Sequence, residues 1–210
     1  MRVAKNNQKT EEKRTAILVE ARMVFLDSGN AGFSMRSVAK KVDMSLSHLQ
    51  YFFPTKDQLF LEMVRYTVND YLKNYKLIMI ESYNSPEQQM SAVLDYLFSD
   101  LMRLDVTAIF VELWGMALRD VEARLFQRKL YRVNRRKFST ILTRVYPDAS
   151  RETIKRVATQ VLLHIDGIMV LYMVDWPDAQ NYERIVQDAK SIIWRIMENI
   201  AQKKETSQLP

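Results

Sequence analysis

The chain has 210 residues, 48% of them hydrophobic and 27% charged, a composition typical of a soluble globular protein. The absence of cysteine excludes disulfide scaffolds and thiolate metal sites. Four glycines and five prolines are too few for a turn-rich all-β fold or a glycine-rich phosphate loop. Thirty-one basic and 25 acidic residues give a net charge of +6, which is a mild bias toward polyanionic partners.

Neither the N-terminal segment nor the most hydrophobic window suggests secretion or membrane insertion. Residues 1–13 are polar and charged, unlike the apolar core of a signal peptide. The most hydrophobic window, 161–174, includes His164 and Asp166, and it is shorter than the roughly 20 apolar residues that span a bilayer. We therefore expect a soluble, cytoplasmic protein.

Helical periodicity fills the long segments between the sparse glycines and prolines, and it predicts an all-α fold of about nine helices. The first helix ends at Gly29 and Gly32. Two short helices follow, 35–42 and 46–52, capped by Ser34 and Ser45 and joined by a tight turn over 43–45.

The later helices are predicted from capping and breaking residues. Thr55 and Ser85 each begin a capping box, so helices start there and run to about residues 81 and 104. Pro147 separates a basic helix (about 120–145) from one that begins near residue 150. Pro177 separates that helix from the last one, about 178–202.

One segment of the next-to-last helix has two interpretations. Asp166 and Gly167 lie between β-branched runs, a pattern that is also typical of a hairpin turn. The apolar positions upstream keep a helical spacing, and the sequence nearby offers no other strand for pairing. We predict a helix in which Gly167 allows a neighbouring backbone to approach closely.

Residues 34–56 have the pattern of a DNA-binding element. Up to Lys41 the chain carries nine basic and four acidic residues, so this fifth of the sequence holds +5 of the net +6. Two short helices joined by a three-residue turn are typical of a helix-turn-helix, and the small Ala39 lets the helices cross closely. The outward side chains of the second helix suit the base edges and phosphates of a major groove: Leu46, Ser47, His48, Gln50 and Tyr51.

Lys56 begins the next helix, where its ammonium and the exposed backbone N–H groups could both meet a phosphate. The alternative, a polar surface of an ordinary helical bundle, does not explain the turn, the caps and the outward polar set together. A metal-ligand or catalytic role for His48 is disfavoured, because cysteine is absent and the other histidine, His164, is distant in sequence.

Residues 13–60 resemble the N-terminal domain of the tetracycline-repressor (TetR) family. Spacing and residue type agree over about forty positions, at Ile17, Leu18, Ala21, Phe25, Gly29, Ser34, Val38, Ala39, Ser45, Leu49, Tyr51, Phe52, Phe53, Lys56, Asp57, Gln58 and Leu59. The length and the helical remainder are also similar to that family, whose members carry a variable C-terminal ligand-binding and dimerisation domain. The resemblance implies a DNA-binding domain at 1–55 and a ligand-binding and dimerisation domain at 56–210.

Two positions depart from the family pattern. Asp43 occupies the turn position that is usually glycine, and aspartate tolerates the left-handed backbone required there. Gln50 stands in place of the usual tyrosine and is followed by Tyr51, so either of them could read a base. The resemblance implies DNA contacts from Met35, Arg36, Leu46, Ser47, His48, Gln50, Tyr51 and Lys56.

The last two helices are more apolar than one core requires. Burial inside one chain and burial between two copies are equally compatible with the residues. The resemblance implies a two-fold dimer, which also matches a palindromic operator. The predicted interface residues are Val161, Ile165, Ile168, Ile185, Ala189, Ile192, Ile193, Ile196 and Ile200.

The resemblance also implies a small-molecule pocket in the C-terminal domain. Candidate lining residues combine aromatic, methionine and polar side chains, although core is the better interpretation for any one of them: Phe110, Glu112, Trp114, Met116, Tyr131, Phe138, His164, Met169, Tyr172 and Trp176. Glu112, His164 and Asp166 stand out, since a buried ionisable group needs a ligand or a neighbouring charge. The basic helix is interpreted as a solvated face, with binding of an acidic ligand as the alternative.

The sequence therefore predicts an all-α, homodimeric transcriptional regulator without cofactor or metal. We expect a repressor that a small molecule releases from a palindromic operator in double-stranded DNA. One alternative is a ligand-independent or activating regulator. Another is a small helical enzyme using Glu112, His164 and Asp166, although no nucleophile lies beside an oriented base.

Overall fold

The computed structural model describes residues 2–81, 83–101, 103–175 and 179–205, and every regular element in these ranges is an α-helix. The predicted all-α class is confirmed. The described helices are α1 (Arg2–Gly32), α2 (Met35–Lys41), α3 (Leu46–Phe52), α4 (Lys56–Ile80), α5 (Pro86–Leu101), α6 (Leu104–Ala117), α7 (Val121–Val145), α8 (Arg151–Asp175) and α9 (Ala179–Glu205).

Side-chain caps start several of these helices where the sequence predicts. The Thr55 hydroxyl accepts from the Gln58 N–H at 3.1 Å, and the Ser85 hydroxyl accepts from the Gln88 N–H at 3.2 Å. The Gln88 side chain returns to the Asn84 N–H at 3.2 Å instead of to Ser85, which differs from the predicted capping box. The predicted end of α5 near residue 104 is wrong, because α6 begins at Leu104.

Glycine ends the regular part of α1, as predicted. Gly29 has φ 61° and ψ −171°, a backbone region that only glycine adopts readily, and it interrupts the helix there. At Gly32 a Cβ would lie 2.4 Å from the Cβ of Ser28, so a larger residue would force the segment apart. The two glycines therefore fix where the chain leaves α1 and enters α2.

The chain divides into two compact units, and the division differs from the expected boundary at residue 55. The first unit comprises Met1–Asn74 and Ala108–Ala123, and the second comprises Tyr75–Thr107 and Arg124–Pro210. Helix α4 begins at Lys56 and continues without a break across residue 74, where the first segment of the first unit ends. Most of α6 belongs to the first unit, a long-range association that local sequence patterns do not encode.

The core of the first unit is aromatic. The rings of Phe25, Phe33 and Phe60 meet pairwise, with centroids 5.4–6.0 Å apart, and two of the three contacts are edge-to-face. The guanidinium of Arg14 lies 4.7 Å from the centroid of Phe53 and pairs with Glu62 at 3.5 Å. These contacts join α1, the residue that follows it and the residue that follows α3 to α4 and to one another.

In the second unit α8 packs along α9 and against α5. Tyr182 donates its hydroxyl to the carbonyl of Phe98 at 2.5 Å, and Arg144 donates to the side chain of Gln89 at 2.8 Å. None of the helices in the described part of the chain has the combination of length and apolar composition that a membrane crossing requires.

Helix α8 runs through Asp166 and Gly167, so the helical prediction is confirmed over the hairpin alternative. The expectation of a close neighbour at Gly167 is wrong within the chain, because Gly167 is exposed and a Cβ built there meets no atom within 4 Å. The glycine therefore has no packing role inside the described part of one chain.

Helix α7 carries eight basic residues and one acidic residue, so it holds more positive charge than the net +6 of the whole chain. Arg128, Arg132 and Arg136 follow one another at four-residue spacing and are exposed. Lys137 is half-buried instead, and its ammonium lies over the ring of Tyr75 in α4. Most of α7 thus presents a solvated basic face.

Candidate nucleic-acid interface

Helices α2 and α3 are each fixed by a serine at the N-terminus, as predicted. The Ser34 hydroxyl accepts from the Ser37 N–H at 3.1 Å, and the Ser37 hydroxyl accepts from the Ser34 N–H at 2.9 Å. The Ser45 hydroxyl accepts from the His48 N–H at 3.2 Å. The first backbone N–H groups of a helix have no partner within it, and in a seven-residue helix they are a large share of the total. The serine caps therefore stabilise both helices.

The turn between α2 and α3 follows the expected geometry. Asp43 has φ 50°, the only non-glycine residue with positive φ among those described, which confirms that aspartate accepts the left-handed position. The Met44 N–H donates to the carbonyl of Ala39 at 2.9 Å and closes the turn. Val38, Ala39 and Leu49 are buried where the two helices meet.

The outer face of α3 is polar and solvated. Ser47, His48, Gln50 and Tyr51 are exposed, and Tyr51 exposes 79% of its surface although it is aromatic. Leu46 is half-buried at the start of the helix. Exposed hydroxyl, imidazole and amide groups on one short helix form the chemistry that reads base edges and phosphates in a major groove.

The other predicted DNA contacts surround this face differently. Arg36 is exposed on α2, whereas Met35 is half-buried. Lys56 is half-buried at the start of α4, and its ammonium donates to the carbonyl of Asn30 at 3.0 Å. Lys56 is therefore held in place by the chain before any DNA is present.

Asn30 is a residue that the sequence did not single out. Its side-chain amide donates to Glu112 at 2.7 Å, a contact across 82 residues of sequence. The only local signal was its position directly after Gly29, at the end of α1. Glu112 was predicted as a pocket residue, and in the structure its carboxylate also lies 4.0 Å from the guanidinium of Arg119.

The predicted interface residues of α8 and α9 fall into two groups. Ile185 and Ile192 are exposed, and Ile168 and Ile196 are half-buried. The prediction needs correction for four others, because one chain already buries them and leaves little surface for a second copy: Val161, Ile165, Ala189 and Ile193. The side chain of Ile200 lies outside the described residues.

Three apolar side chains of α8 that the sequence did not select are exposed: Leu163 at 63%, Val170 at 43% and Leu171 at 69%. They share a helical face with Gly167. The run 161–174 is apolar nearly all round, so periodicity alone could not separate the buried side from the exposed one.

The predicted pocket residues are divided between the two units. Phe110, Glu112, Trp114 and Met116 belong to the first unit, and Tyr131, Phe138, His164 and Met169 to the second. Phe138, Met116 and Met169 are buried, as core residues would be. The side chains of Tyr172 and Trp176 lie outside the described residues.

Two ionisable groups of the second unit are set apart by their surroundings. Tyr131 donates its hydroxyl to Asp166 at 2.7 Å, and burial raises the pKa of Asp166 to about 6 against the opposing effect of that hydrogen bond. The ammonium of Lys137 lies 3.6 Å from the ring centroid of Tyr75, and burial lowers the pKa of Lys137 to about 8. His164 bonds to the carbonyl of Gln160 on its own helix at 2.9 Å.

Two family descriptions match the chain. Residues 17–63 match the bacterial regulatory proteins of the tetR family, and residues 86–197 match the C-terminal domain of BetI-type transcriptional repressors. The second match alone covers more than half of the 210 residues.

Individual relatives agree with this assignment. An uncharacterized HTH-type transcriptional regulator in the dhlA 5′ region of Xanthobacter autotrophicus is 27% identical over 168 residues, which is 79% of this chain and 82% of that protein. The fold matches a TetR transcription regulator from Haloarcula marismortui (TM-score 0.76, 15% identity, 90% and 98% of the two chains). It also matches a protein from Saccharomonospora viridis solved in complex with choline (TM-score 0.75, 15% identity, 87% and 96% of the two chains).

These matches concern transcriptional regulators, so the enzyme alternative loses its basis. The exposed polar face of α3 and the matched ranges point to the same activity. The chain belongs to the TetR family of DNA-binding transcriptional regulators and carries a BetI-type repressor C-terminal domain.

Proposed function

We propose that the protein is a homodimeric repressor that binds a palindromic operator through the α2–α3 pair of each copy. The observation that carries this is the exposed set on α3, in which Gln50 and Tyr51 extend beside Ser47 and His48 from a helix capped at Ser45. In a two-fold dimer, two such helices would enter successive major grooves about 34–36 Å apart.

The dimer would form through α8 and α9. Leu163, Leu171 and Ile192 are apolar, exposed and located on the two helices that pack along each other. A large exposed apolar surface on a soluble chain is typical of a protein interface. A two-fold contact of this kind matches the symmetry of a palindrome.

A small molecule would bind in the second unit and lower the affinity for DNA. Tyr131, Phe138, His164 and Met169 are the described candidates there, together with Asp166. The related fold from Saccharomonospora viridis was solved with choline, which supports a small-molecule site of this general kind. Release requires that the ligand bind more tightly to the conformation that fits DNA poorly.

Such a regulator would act in the cytoplasm, where chromosomal DNA lies.

Selection of bound fragments from random duplex DNA at physiological salt tests the proposal. We expect a palindrome whose half-sites are about one helical turn apart. Recovery of a single, asymmetric half-site would contradict the dimeric mode, and recovery of no sequence above background would contradict sequence-specific binding.

The ligand proposal needs its own test. Thermal unfolding of the protein with a panel of small cations, acids and neutral aromatics should identify a compound that raises the transition temperature, and the same compound should then release the selected duplex. A compound that stabilises the protein without changing DNA affinity would favour the ligand-independent alternative.

A further inference from the structure

Glu112 restrains the junction between α1 and α2. Its carboxylate accepts from the side-chain amide of Asn30 at 2.7 Å, and its own side chain is only 26% exposed. All the residues involved belong to the first unit, although Glu112 comes from α6 and Asn30 from the end of α1. The bond therefore ties α6 to the DNA-binding helices.

The same asparagine also binds Lys56, one of the predicted DNA-contacting residues. Its backbone carbonyl accepts from the ammonium of Lys56 at 3.0 Å, and that ammonium lies 5.8 Å from the ring centroid of Phe33. Asn30 thus binds Glu112 through its side chain and Lys56 through its main chain.

The other described contacts of the junction act on the neighbours of Asn30: Phe33 packs in the aromatic core, and Ser37 donates its hydroxyl to the carbonyl of Gly32 at 3.0 Å. Gly29 breaks the helix just before Asn30, and both residues are exposed. The backbone bond from the Phe33 N–H to the Gly29 carbonyl, at 3.0 Å, spans the junction without involving Asn30. Among the described contacts, Glu112 is the partner that binds the side-chain amide of Asn30 from outside the junction.

We propose that Glu112 is a positioning residue for DNA binding, acting through Asn30 on Lys56. An ammonium has three donors, so Lys56 can keep one bond to Asn30 and offer the others to a phosphate. Holding the long lysine side chain beforehand removes rotamer freedom that DNA binding would otherwise have to remove. The inference rests on the proposed phosphate contact of Lys56.

A double-mutant cycle with the selected duplex tests the coupling. Lys56→Ala should weaken binding about fivefold and Glu112→Ala about threefold, because the second change loosens a contact that the first removes entirely. In the Lys56→Ala background, Glu112→Ala should change the affinity by less than about 1.5-fold. Equal threefold losses in both backgrounds would overturn the proposal.

Two matched variants separate positioning from general stability. Glu112→Gln keeps an oxygen acceptor for Asn30 and should bind DNA as the unaltered protein does. Arg119→Ala removes the ion pair with Glu112 but not the bond to Asn30, so it should also leave affinity unchanged. A loss in Glu112→Gln equal to that in Glu112→Ala would contradict the role of the hydrogen bond.

A measurement without DNA distinguishes this inference from the proposed function. Amide hydrogen exchange across residues 28–34 should be faster in Glu112→Ala than in Glu112→Gln or the unaltered protein, because the junction opens more often. Unchanged exchange would refute the restraint even if the protein binds DNA. Faster exchange in a protein that binds no duplex would show that the restraint exists and that the proposed DNA contact does not.

Discussion

Two exposed helical faces of this chain differ in their chemistry. Helix α3 presents Ser47, His48, Gln50 and Tyr51, whereas α8 presents Leu163, Val170 and Leu171 on one face. The polar face offers hydrogen bonds of fixed direction, which suit a partner with a fixed pattern of donors and acceptors. The apolar face gains free energy from any surface that excludes water, provided that the shapes fit.

The difference also concerns how each face is built. The α3 face stands on a seven-residue helix that its serine cap and the turn at Asp43 hold in place. The α8 face lies on a 25-residue helix that also begins at a serine cap, Ser150, but packs along α9 over its length. The proposed recognition surface for DNA therefore depends on local geometry, and the proposed surface for a second copy depends on extended packing.

The largest expected effect comes from placing a charge on the apolar face. Leu163→Asp should weaken dimerisation by about 100-fold or more, since an unpaired carboxylate would have to leave water when two copies meet. Sedimentation velocity over a range of concentrations measures the change. Gln187→Asp, at an exposed polar position of α9, is the control and should remain dimeric. A stable Leu163→Asp dimer would mean that this face of α8 is not the interface.

The next effect concerns base recognition. Gln50→Ala should reduce discrimination by about 1–3 kcal/mol at one or two base positions in each half-site, because a bidentate amide–adenine pair would be lost. Binding to a set of single-base variants of the selected duplex measures it. If affinity falls equally for all of them, Gln50 contacts the backbone and Tyr51 becomes the candidate base reader.

A pH dependence should follow from Asp166, which lies beside the apolar face of α8. Its folded pKa of about 6 exceeds the ordinary value of 3.8, so the folded chain keeps the proton over a range where the unfolded chain loses it. The free energy of unfolding should therefore fall as pH rises from about 4 to about 6, by about 1–2 kcal/mol for a half-buried group.

Denaturant titrations at fixed protein concentration check this prediction. Asp166→Asn should abolish that part of the pH dependence, whereas the exposed Asp188→Asn should retain it. Parallel pH profiles for Asp166→Asn and the unaltered protein would show that another group carries the effect.

The smallest expected effect is uniform across DNA sequences. Lys56→Ala should lower the slope of log affinity against log salt by about one unit and weaken all duplexes alike. Filter binding at several salt concentrations with the selected and a scrambled duplex measures both quantities. A loss confined to one base position would refute the phosphate assignment.

The helix-turn-helix could be predicted in detail because its determinants are local. Ser34, Asp43 and Ser45 each act within three residues of their own position, as caps or as the left-handed turn residue. Their chemistry is visible in any short window of sequence. The exposed face of α3 followed directly from the helical register that the caps impose.

The contacts of the C-terminal part could not be predicted in the same way. Leu163 is exposed and Val161 is buried, yet both lie in one apolar run without a polar side to set the phase. Glu112 was expected in a pocket, and its bond to Asn30 depends on α6 joining the first unit. Such contacts arise from packing between distant segments, which periodicity does not record.

The three exposed arginines at four-residue spacing on α7 affect how salt acts on this protein. Arg128, Arg132 and Arg136 repel one another along the helix, and added salt screens that repulsion. The folded chain should therefore gain stability from salt over the same range in which it loses affinity for DNA. Release of DNA at high ionic strength would then leave an intact regulator that can bind again when the salt concentration falls.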